Sequence, residues 1–282
     1  MNHFKKNNWM HKSAYFLLSA LLLLSFSCNR DRTLWDGEYF STLDNGFAES
    51  EFSAIQQMIE VEARADSAVY GKTGAVTGLF CPDAVVTVTA NGSNVVMRID
   101  FSSGTNCLDG RLRTGALIAT FNGFWKNENS TVTIVPESYT VAGYSFFFTQ
   151  TILVNPRNTA GQINWTTRVV DAELLHPQNG QISWDSERTT TWVEGEDTPL
   201  VFQDDAFEVT GTANGISRTN RGFDVTITNP LRIIGDCGYV VAGAIELTPQ
   251  QLATRTIDYG QGACDNRILL TVGNFQQEYF LP

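Results

Sequence analysis

The chain has 282 residues, 43% of them hydrophobic and 17% charged, with 19 basic and 30 acidic side chains. This composition is typical of a folded protein and excludes a disordered one. The acidic balance excludes a basic nucleic-acid binder, so we expect no nucleic acid among its partners. Twenty-three glycines against eight prolines, with Thr and Val spread throughout, favour strands and turns over a helical bundle.

Residues 1–27 predict a lipoprotein signal peptide. Three lysines precede an apolar run at 15–26, which is too short to span a bilayer. The following segment 24–28, Leu-Ser-Phe-Ser-Cys, resembles a bacterial lipoprotein processing box. In such a box the cysteine, here Cys28, is acylated and becomes the mature N-terminus. Ordinary secretion with an unpaired Cys28 is the alternative.

The predicted mature chain is an acidic body on a lipid tether. All 30 acidic residues follow the predicted cut and three of the 19 basic residues precede it, which leaves 16 minus 30, or −14. The acyl chains, rather than charge, would then hold the protein to the membrane. We expect a short tether at 28–44 and anchoring to the bacterial outer membrane, on either the periplasmic or the surface face.

Four cysteines follow Cys28 in the predicted mature chain: Cys81, Cys107, Cys237 and Cys264. An even number in an oxidising compartment predicts two disulfides. Among the three connectivities we favour Cys81–Cys107 with Cys237–Cys264, because each pair flanks one local group of strands. Buried free thiols are the alternative. A zinc site is disfavoured, since no two of these cysteines have a short ligand spacing.

Residues 45–70 predict one amphipathic helix that packs on a sheet. The apolar residues at its three- and four-residue steps are Phe52, Ile55, Met58, Ile59 and Ala63. From residue 71 onwards the period of alternation is two, with Asn-Gly turns between the alternating runs. This pattern predicts a mainly β fold, an antiparallel sandwich or roll of about a dozen strands. We expect a first β half at 71–195 and a second at 196–282, packed on the first.

A repeated motif supports two related halves. The sequence IDFSSGTNCLDGR at 99–111 returns as IDYGQGACDNR at 257–267. Oxygen ligands in these loops are of the kind that calcium prefers, but their spacing matches no calcium loop. We favour a structural interpretation, in which each Asp accepts hydrogen bonds from turn N–H groups and pairs with an Arg, and we expect no metal. The oxygen-bearing residues are Asp100, Asp109, Asp258, Asp265 and Asn266.

These features resemble a group of uncharacterised lipoproteins of the Bacteroidota. The resemblance rests on the helix, the two repeated loops, the stretch from Trp184 to Trp192 and the closing hairpin, and it covers most of the mature chain. It implies an envelope location and a β-rich body. It implies no particular activity.

Candidate catalytic groups are few. His176 is the one histidine after the signal segment, so histidine-based catalysis and His-rich metal sites depend on a single side chain. Asp185 and Glu187 lie near Trp184 and Trp192, and glycan hydrolases use paired carboxylates beside aromatic platforms. On a regular strand the acids and the tryptophans point to opposite faces, which favours core tryptophans over a cleft. We therefore expect no enzyme and no cofactor.

The run at 144–148 breaks the alternation, so its strand is predicted to be apolar on both faces. Burial beneath the helix is the favoured interpretation, and contact with a partner or an apolar ligand is the alternative. The candidate ligand contacts are Tyr144, Phe146 and Phe148, together with Trp184 and Trp192.

Three functions stay open. The leading hypothesis is a non-enzymatic envelope lipoprotein with a binding or structural role, whose partners would be the membrane and an envelope protein or a glycan. A surface glycan-binding or glycan-processing accessory protein would need exposed tryptophans, such as Trp125 or Trp165, beside two carboxylates. A carrier of lipid or another apolar ligand would need a hollow lined by Phe146 and Phe148.

Overall fold

The computed structural model describes residues 36–70, 81–235, 237 and 239–280, and the predicted signal peptide and Cys28 lie outside these ranges. Its helices are α1 (Phe40–Ala65) and the single turn α2 (Ser67–Tyr70). Its strands are β1 (Val85–Asn91), β2 (Asn94–Asn106), β3 (Leu112–Asn122), β4 (Thr131–Val141), β5 (Tyr144–Val154), β6 (Asn164–His176), β7 (Gly180–Glu194), β8 (Ala206–Ile216), β9 (Gly222–Ile234), β10 (Val240–Pro249), β11 (Arg255–Gln261), β12 (Arg267–Val272) and β13 (Phe275–Phe280).

All thirteen strands belong to one sheet, in which each strand pairs antiparallel with the next one in sequence. The prediction of a mainly β, antiparallel fold with one N-terminal helix is therefore confirmed. The single sheet has the form of a roll and not of a two-layer sandwich. Because β7 pairs with β8 over most of its length, the two predicted halves are consecutive parts of one sheet.

Helix α1 begins at Phe40, five residues earlier than predicted and inside the segment expected to be a tether. The Glu38 carboxylate accepts the backbone N–H of Ser41 at 2.8 Å, which satisfies one of the free donors of the first turn. Sequence periodicity misses this turn because buried Ser41, Asp44 and Asn45 occupy the inward positions. Their polar side chains have polar partners.

The sheet curls around α1. Glu51 of the helix contacts Arg113 of β3, whereas Asn45 accepts a hydrogen bond from the Trp184 indole of β7 at 2.9 Å. At 100° per residue, positions 45 and 51 point in different directions from the helix axis. Strands that lie four apart in the sheet therefore contact different sides of the same helix, and their inward side chains form one continuous core.

Bulges give the sheet this curvature. The strand register shifts beside Gly115 of β3, Gly211 of β8 and Gly243 of β10, whose φ angles are +76°, +130° and +107°. Ser138 of β4 and Asp171 of β6 also have positive φ, at +51° and +52°. Each bulge bends its strand and increases the local twist. Their recurrence along the sheet is what allows it to wrap a helix.

The two ends of the sheet are distinguished by the two ends of the helix. Turns of a meander alternate between its ends, so the β8–β9 and β10–β11 turns share one end, and the β3–β4 and β7–β8 connections share the other. Arg218 in the β8–β9 turn pairs with Asp44 in the first part of α1. Asp205, just before β8, pairs with Arg64 in the last turn. We name these the Asp44 end and the Arg64 end.

Both predicted disulfides are present, Cys81–Cys107 and Cys237–Cys264. Each bridge joins the residue that precedes a hairpin to the residue that follows it. The first closes the hairpin β1–β2 at the Asp44 end, and the second closes β10–β11 at the Arg64 end. The repeated motif of the sequence therefore corresponds to a repeated, bridged hairpin.

Candidate functional site

The aromatic residues predicted as ligand contacts face the helix. Phe146 and Phe148 on β5 and Trp184 on β7 are each at most 7% exposed. The Phe52 ring of α1 stacks on Trp184 at a centroid distance of 5.1 Å and meets Phe148 edge-on at 5.0 Å. Tyr144 and Trp192 are buried on the same inner face. Only Phe147 of this run is exposed, which agrees with burial beneath the helix.

The two candidate carboxylates lie on the outer face of β7. Glu187 is exposed and pairs with Arg168 of β6 at 2.8 Å. Asp185 accepts the backbone N–H of Asp171 at 2.6 Å, at the bulge of β6. Trp184 is on the inner face of the same strand. The acids and Trp184 therefore lie on opposite faces of β7, which is the arrangement that regular alternation predicts.

The repeated loops form the same turn twice. Asp109 accepts the N–H of Arg111 at 3.0 Å, and Asp265 accepts that of Arg267 at 3.0 Å. Equivalent bonds upstream join Asp100 to the N–H of Ser102 and Asp258 to that of Gly260. The predicted Asp-to-N–H bonds are thus present. Within the described residues, no group of three or more His, Cys, Asp or Glu side chains is placed to hold a metal ion.

His176 also has a local structural contact. Its Nδ1 atom accepts the backbone N–H groups of Gln178 and Asn179 at 3.0 and 3.1 Å. Its ring packs against Tyr144 at a centroid distance of 4.8 Å. The imidazole thus closes the β6–β7 turn.

A first cluster of buried charges joins the middle of α1 to β3. The Arg113 guanidinium donates to Glu51 at 2.9 Å and to Asp109 at 2.7 Å, and Arg111 adds a bond to Glu51 at 3.1 Å. The Tyr139 hydroxyl donates to the same Glu51 carboxylate at 2.5 Å. We call these five residues the Glu51 cluster. It fastens one side of the helix to neighbouring strands.

Burial and neighbouring charge oppose each other in the Glu51 cluster. Burial raises the pKa of Glu51, although the positive charge of Arg113 acts in the other direction. Burial lowers the pKa of Arg113, but its hydrogen bonds to Asp109 and the charge of Glu51 outweigh this effect and raise it. Burial also raises the pKa of Tyr139, and the adjacent Glu51 charge adds to that rise. The tyrosine therefore stays a hydrogen-bond donor.

A second cluster surrounds the last turns of α1. Arg64 donates to Glu60 at 2.5 Å and to Asp205 at 2.8 Å. The Lys126 ammonium lies 3.1 Å from Glu60, so the carboxylate of Glu60 is shared between two cations. The exposed fraction of these four side chains is at most 5%. We call Glu60, Arg64, Lys126 and Asp205 the Lys126 cluster.

Three tryptophans enclose this cluster. The Lys126 Nζ atom lies 3.3 Å from the ring centroid of Trp165, 4.5 Å from that of Trp125 and 5.5 Å from that of Trp192. The Arg64 guanidinium carbon lies 4.7 Å from the Trp192 ring. Aromatic faces attract a cation electrostatically, most strongly where water is excluded. The tryptophans thus contribute to holding both cations in the interior.

In the Lys126 cluster, the pKa values of Lys126 and Asp205 move towards each other. Burial lowers the pKa of Lys126 to about 8, although the Glu60 charge opposes this. Burial raises the pKa of Asp205 to about 7, although Arg64 opposes this. For Glu60, burial raises the pKa, but the charges of Lys126 and Arg64 outweigh it and the pKa is lowered. The Lys126 cluster is therefore a fixed network of ion pairs, whose members contact one another and the surrounding tryptophans.

Neither cluster as a unit has a direct signal in the sequence. Glu60 and Arg64 are four residues apart on the predicted helix, which is the spacing of a helical ion pair. Their partners Lys126 and Asp205 lie in connections between strands, far away in sequence. A charged pair at i and i+4 on the inward stripe of the helix was the one signal that could have found this cluster.

In the described part of the chain, no helix combines the length and the apolar character needed to cross a bilayer. Comparison of the chain with known protein families, curated proteins and solved structures finds no match.

Proposed function

We propose that this protein is a cell-envelope lipoprotein that acts without catalysis, as an anchored scaffold for binding or structural support. One observation carries the proposal: α1 fills the space that the sheet encloses and is fastened there from several sides by buried ion pairs. The Glu51 cluster joins the helix to β3. The Lys126 cluster joins it to the β3–β4 and β7–β8 connections at the Arg64 end. Such a core maintains shape, and it leaves the outer face, the turns and the sheet edges for interaction.

Export and anchoring are supported by covalent chemistry. Two disulfides suit an oxidising compartment, where such bonds form and persist. The basic and apolar head at 1–27 and the Cys28 processing box are consistent with this location. The resemblance to Bacteroidota lipoproteins supports an outer-membrane anchor.

The same packing argues against the other two functions. A carrier of an apolar ligand needs the inner aromatic residues free, yet Phe148 and Trp184 pack on Phe52 of the helix. A glycan-processing site needs acids beside exposed tryptophans, yet Glu187 points outward and Trp184 points inward. The scaffold proposal needs neither arrangement.

The proposal is tested on the native protein recovered from its own envelope. Mass spectrometry of the N-terminal peptide should find diacylglycerol on Cys28, and cross-linking before extraction should capture one reproducible envelope partner. The matched control is Cys28→Ser, which should be released from the membrane and lose the partner. An unmodified Cys28 contradicts the anchor. Glycan turnover by the purified protein that Glu187→Gln abolishes contradicts a non-catalytic role.

A further inference from the structure

The chain reaches the folded body at the Asp44 end. Asp36 and Glu38 pair with the Arg255 guanidinium at 2.6 and 3.3 Å. Arg255 begins β11, and its side chain is fully buried. Asp36, the first described residue, is thus fixed beside the β10–β11 turn.

The reach of the segment before Asp36 limits which surface can meet a membrane. Eight residue steps separate Cys28 from Asp36, which span at most about 28 Å when fully extended. Helix α1 has 26 residues and is about 39 Å long, and it runs from the Asp44 end to the Arg64 end. If the Arg64 end rested on the bilayer, Asp36 would stand farther from it than the tether can reach.

The Asp44 end presents side chains suited to a bilayer interface. Tyr39 and Leu43 are one helical turn apart and are 47% and 53% exposed, and Ile216 is 47% exposed. Arg218 lies beside them, with its guanidinium carbon 5.6 Å from the Phe40 ring. Aromatic and aliphatic side chains next to arginine are typical of the membrane–water interface.

Apolar exposure alone does not choose an end, since Phe124 and Val201 at the Arg64 end are 47% and 42% exposed. The short reach of the tether is what places the Asp44 end, rather than the Arg64 end, at the membrane. We infer that the protein sits on the membrane with its Asp44 end towards the bilayer and with Tyr39, Leu43 and Ile216 in contact with lipid. This inference rests on the Cys28 anchor of the proposed function. The net negative charge of the mature chain favours an uncharged lipid surface, so the contact is apolar.

The test uses the chain that begins at Cys28, coupled through that thiol to a maleimide lipid in phosphatidylcholine vesicles. A genetically encoded fluorescent amino acid replaces Leu43 in one sample and Val201 in the matched control. Nitroxide lipids labelled at the head group then quench whichever fluorophore lies at the interface. We expect the fluorophore at position 43 to lose most of its emission and the one at 201 to keep it. Equal quenching, stronger quenching at 201, or quenching at neither overturns the inference.

A second measurement isolates the lipid contact. With the fluorophore at Ile216, the pair Tyr39→Gln and Leu43→Gln should weaken quenching, whereas Phe124→Gln at the other end should leave it unchanged. No difference between these variants overturns the contact. The vesicle assay supplies its own anchor, so its failure is distinct from failure of acylation. The latter is read from the mass of the native N-terminal peptide.

Discussion

The Lys126 ammonium lies 3.1 Å from the Glu60 carboxylate, and the exposed fractions of the two side chains are 4% and 5%. Glu60 also accepts a hydrogen bond from Arg64 on the same helix. One carboxylate therefore separates two cations in a space that excludes water. Ion pairs of this kind add little over a well-packed apolar core, but losing one partner leaves an uncompensated buried charge.

The first prediction concerns Glu60→Gln. The substitution keeps the shape of the side chain but leaves Lys126 and Arg64 facing each other without the carboxylate. We expect the free energy of unfolding to fall by about 3–5 kcal/mol, measured by urea denaturation. The matched control is Glu187→Gln, which removes an exposed pair with Arg168 and should cost at most about 1 kcal/mol. Equal costs for the two variants would contradict a buried, sealed cluster.

The second prediction concerns Asp205 and low pH. Burial raises the pKa of Asp205 in the folded protein to about 7, above its value of about 3.9 in an unfolded chain. Stability from this group is therefore complete below about pH 4 and is lost as the pH rises to about 7. We expect the difference in unfolding free energy between the wild type and Asp205→Asn to shrink over this range, in urea titrations at each pH. A difference that is constant with pH would contradict the raised pKa.

The third prediction concerns Lys126 and high pH. Burial lowers the pKa of Lys126 to about 8, below its unfolded value of about 10.4. Its contribution is complete above about pH 10.4 and is lost as the pH falls to about 8, a change on the order of 3 kcal/mol. The wild type should gain stability relative to Lys126→Met between pH 8 and 10. If the two proteins respond alike, Lys126 is not buried as the structure has it.

Local sequence rules predicted the local parts of the molecule. Alternation placed Trp184 inward and Asp185 outward, and Cys81 was paired with Cys107 because the two flank one local group of strands. Bulges defeat the same rules, because one inserted residue reverses the alternation within a strand. On β4 the buried side chains pass from even-numbered Ile134 to odd-numbered Tyr139 across the bulge at Ser138. Since the bulges were not predicted, the curvature of the sheet could not be predicted either.

The candidate site depended on that curvature. Asp205 lies 141 positions after Arg64 in sequence, and only a sheet that wraps the helix brings them to 2.8 Å. Arg113 reaches Glu51 for the same reason. The sequence shows which residues are charged, but it does not show which of them pair. The partner of each group follows from the three-dimensional path of the strands.

The fourth prediction concerns the two disulfides. Each closes a loop of similar length, with sequence separations of 26 and 27 between the paired cysteines, so replacing either pair by serine should cost on the order of 3 kcal/mol. Because the bridges lie at opposite ends of the sheet, the quadruple variant should lose the sum of the two effects, or about 6 kcal/mol. Denaturant titration of the three variants measures this. A clearly non-additive result would indicate that the two bridged hairpins are coupled.

The fifth prediction separates a bulge glycine from a turn glycine. Gly115 has a φ of +76°, and a Cβ atom there would lie 2.2 Å from the carbonyl oxygen of Ser138. Gly92 has a similar φ of +62° with no atom within 4 Å of that position. Gly92→Ala should therefore cost only the backbone strain of about 1–2 kcal/mol.

Gly115→Ala has the same strain and must also push β4 away from β3, which adds about 1–3 kcal/mol. Since the bulge sets the curvature of the sheet, the displaced strand should also loosen the contact between Tyr139 of β4 and Glu51 of α1. Hydrogen exchange should then increase at α1 in Gly115→Ala and stay unchanged in Gly92→Ala. If both variants lose the same stability and α1 stays equally protected, the bulge does not position the helix.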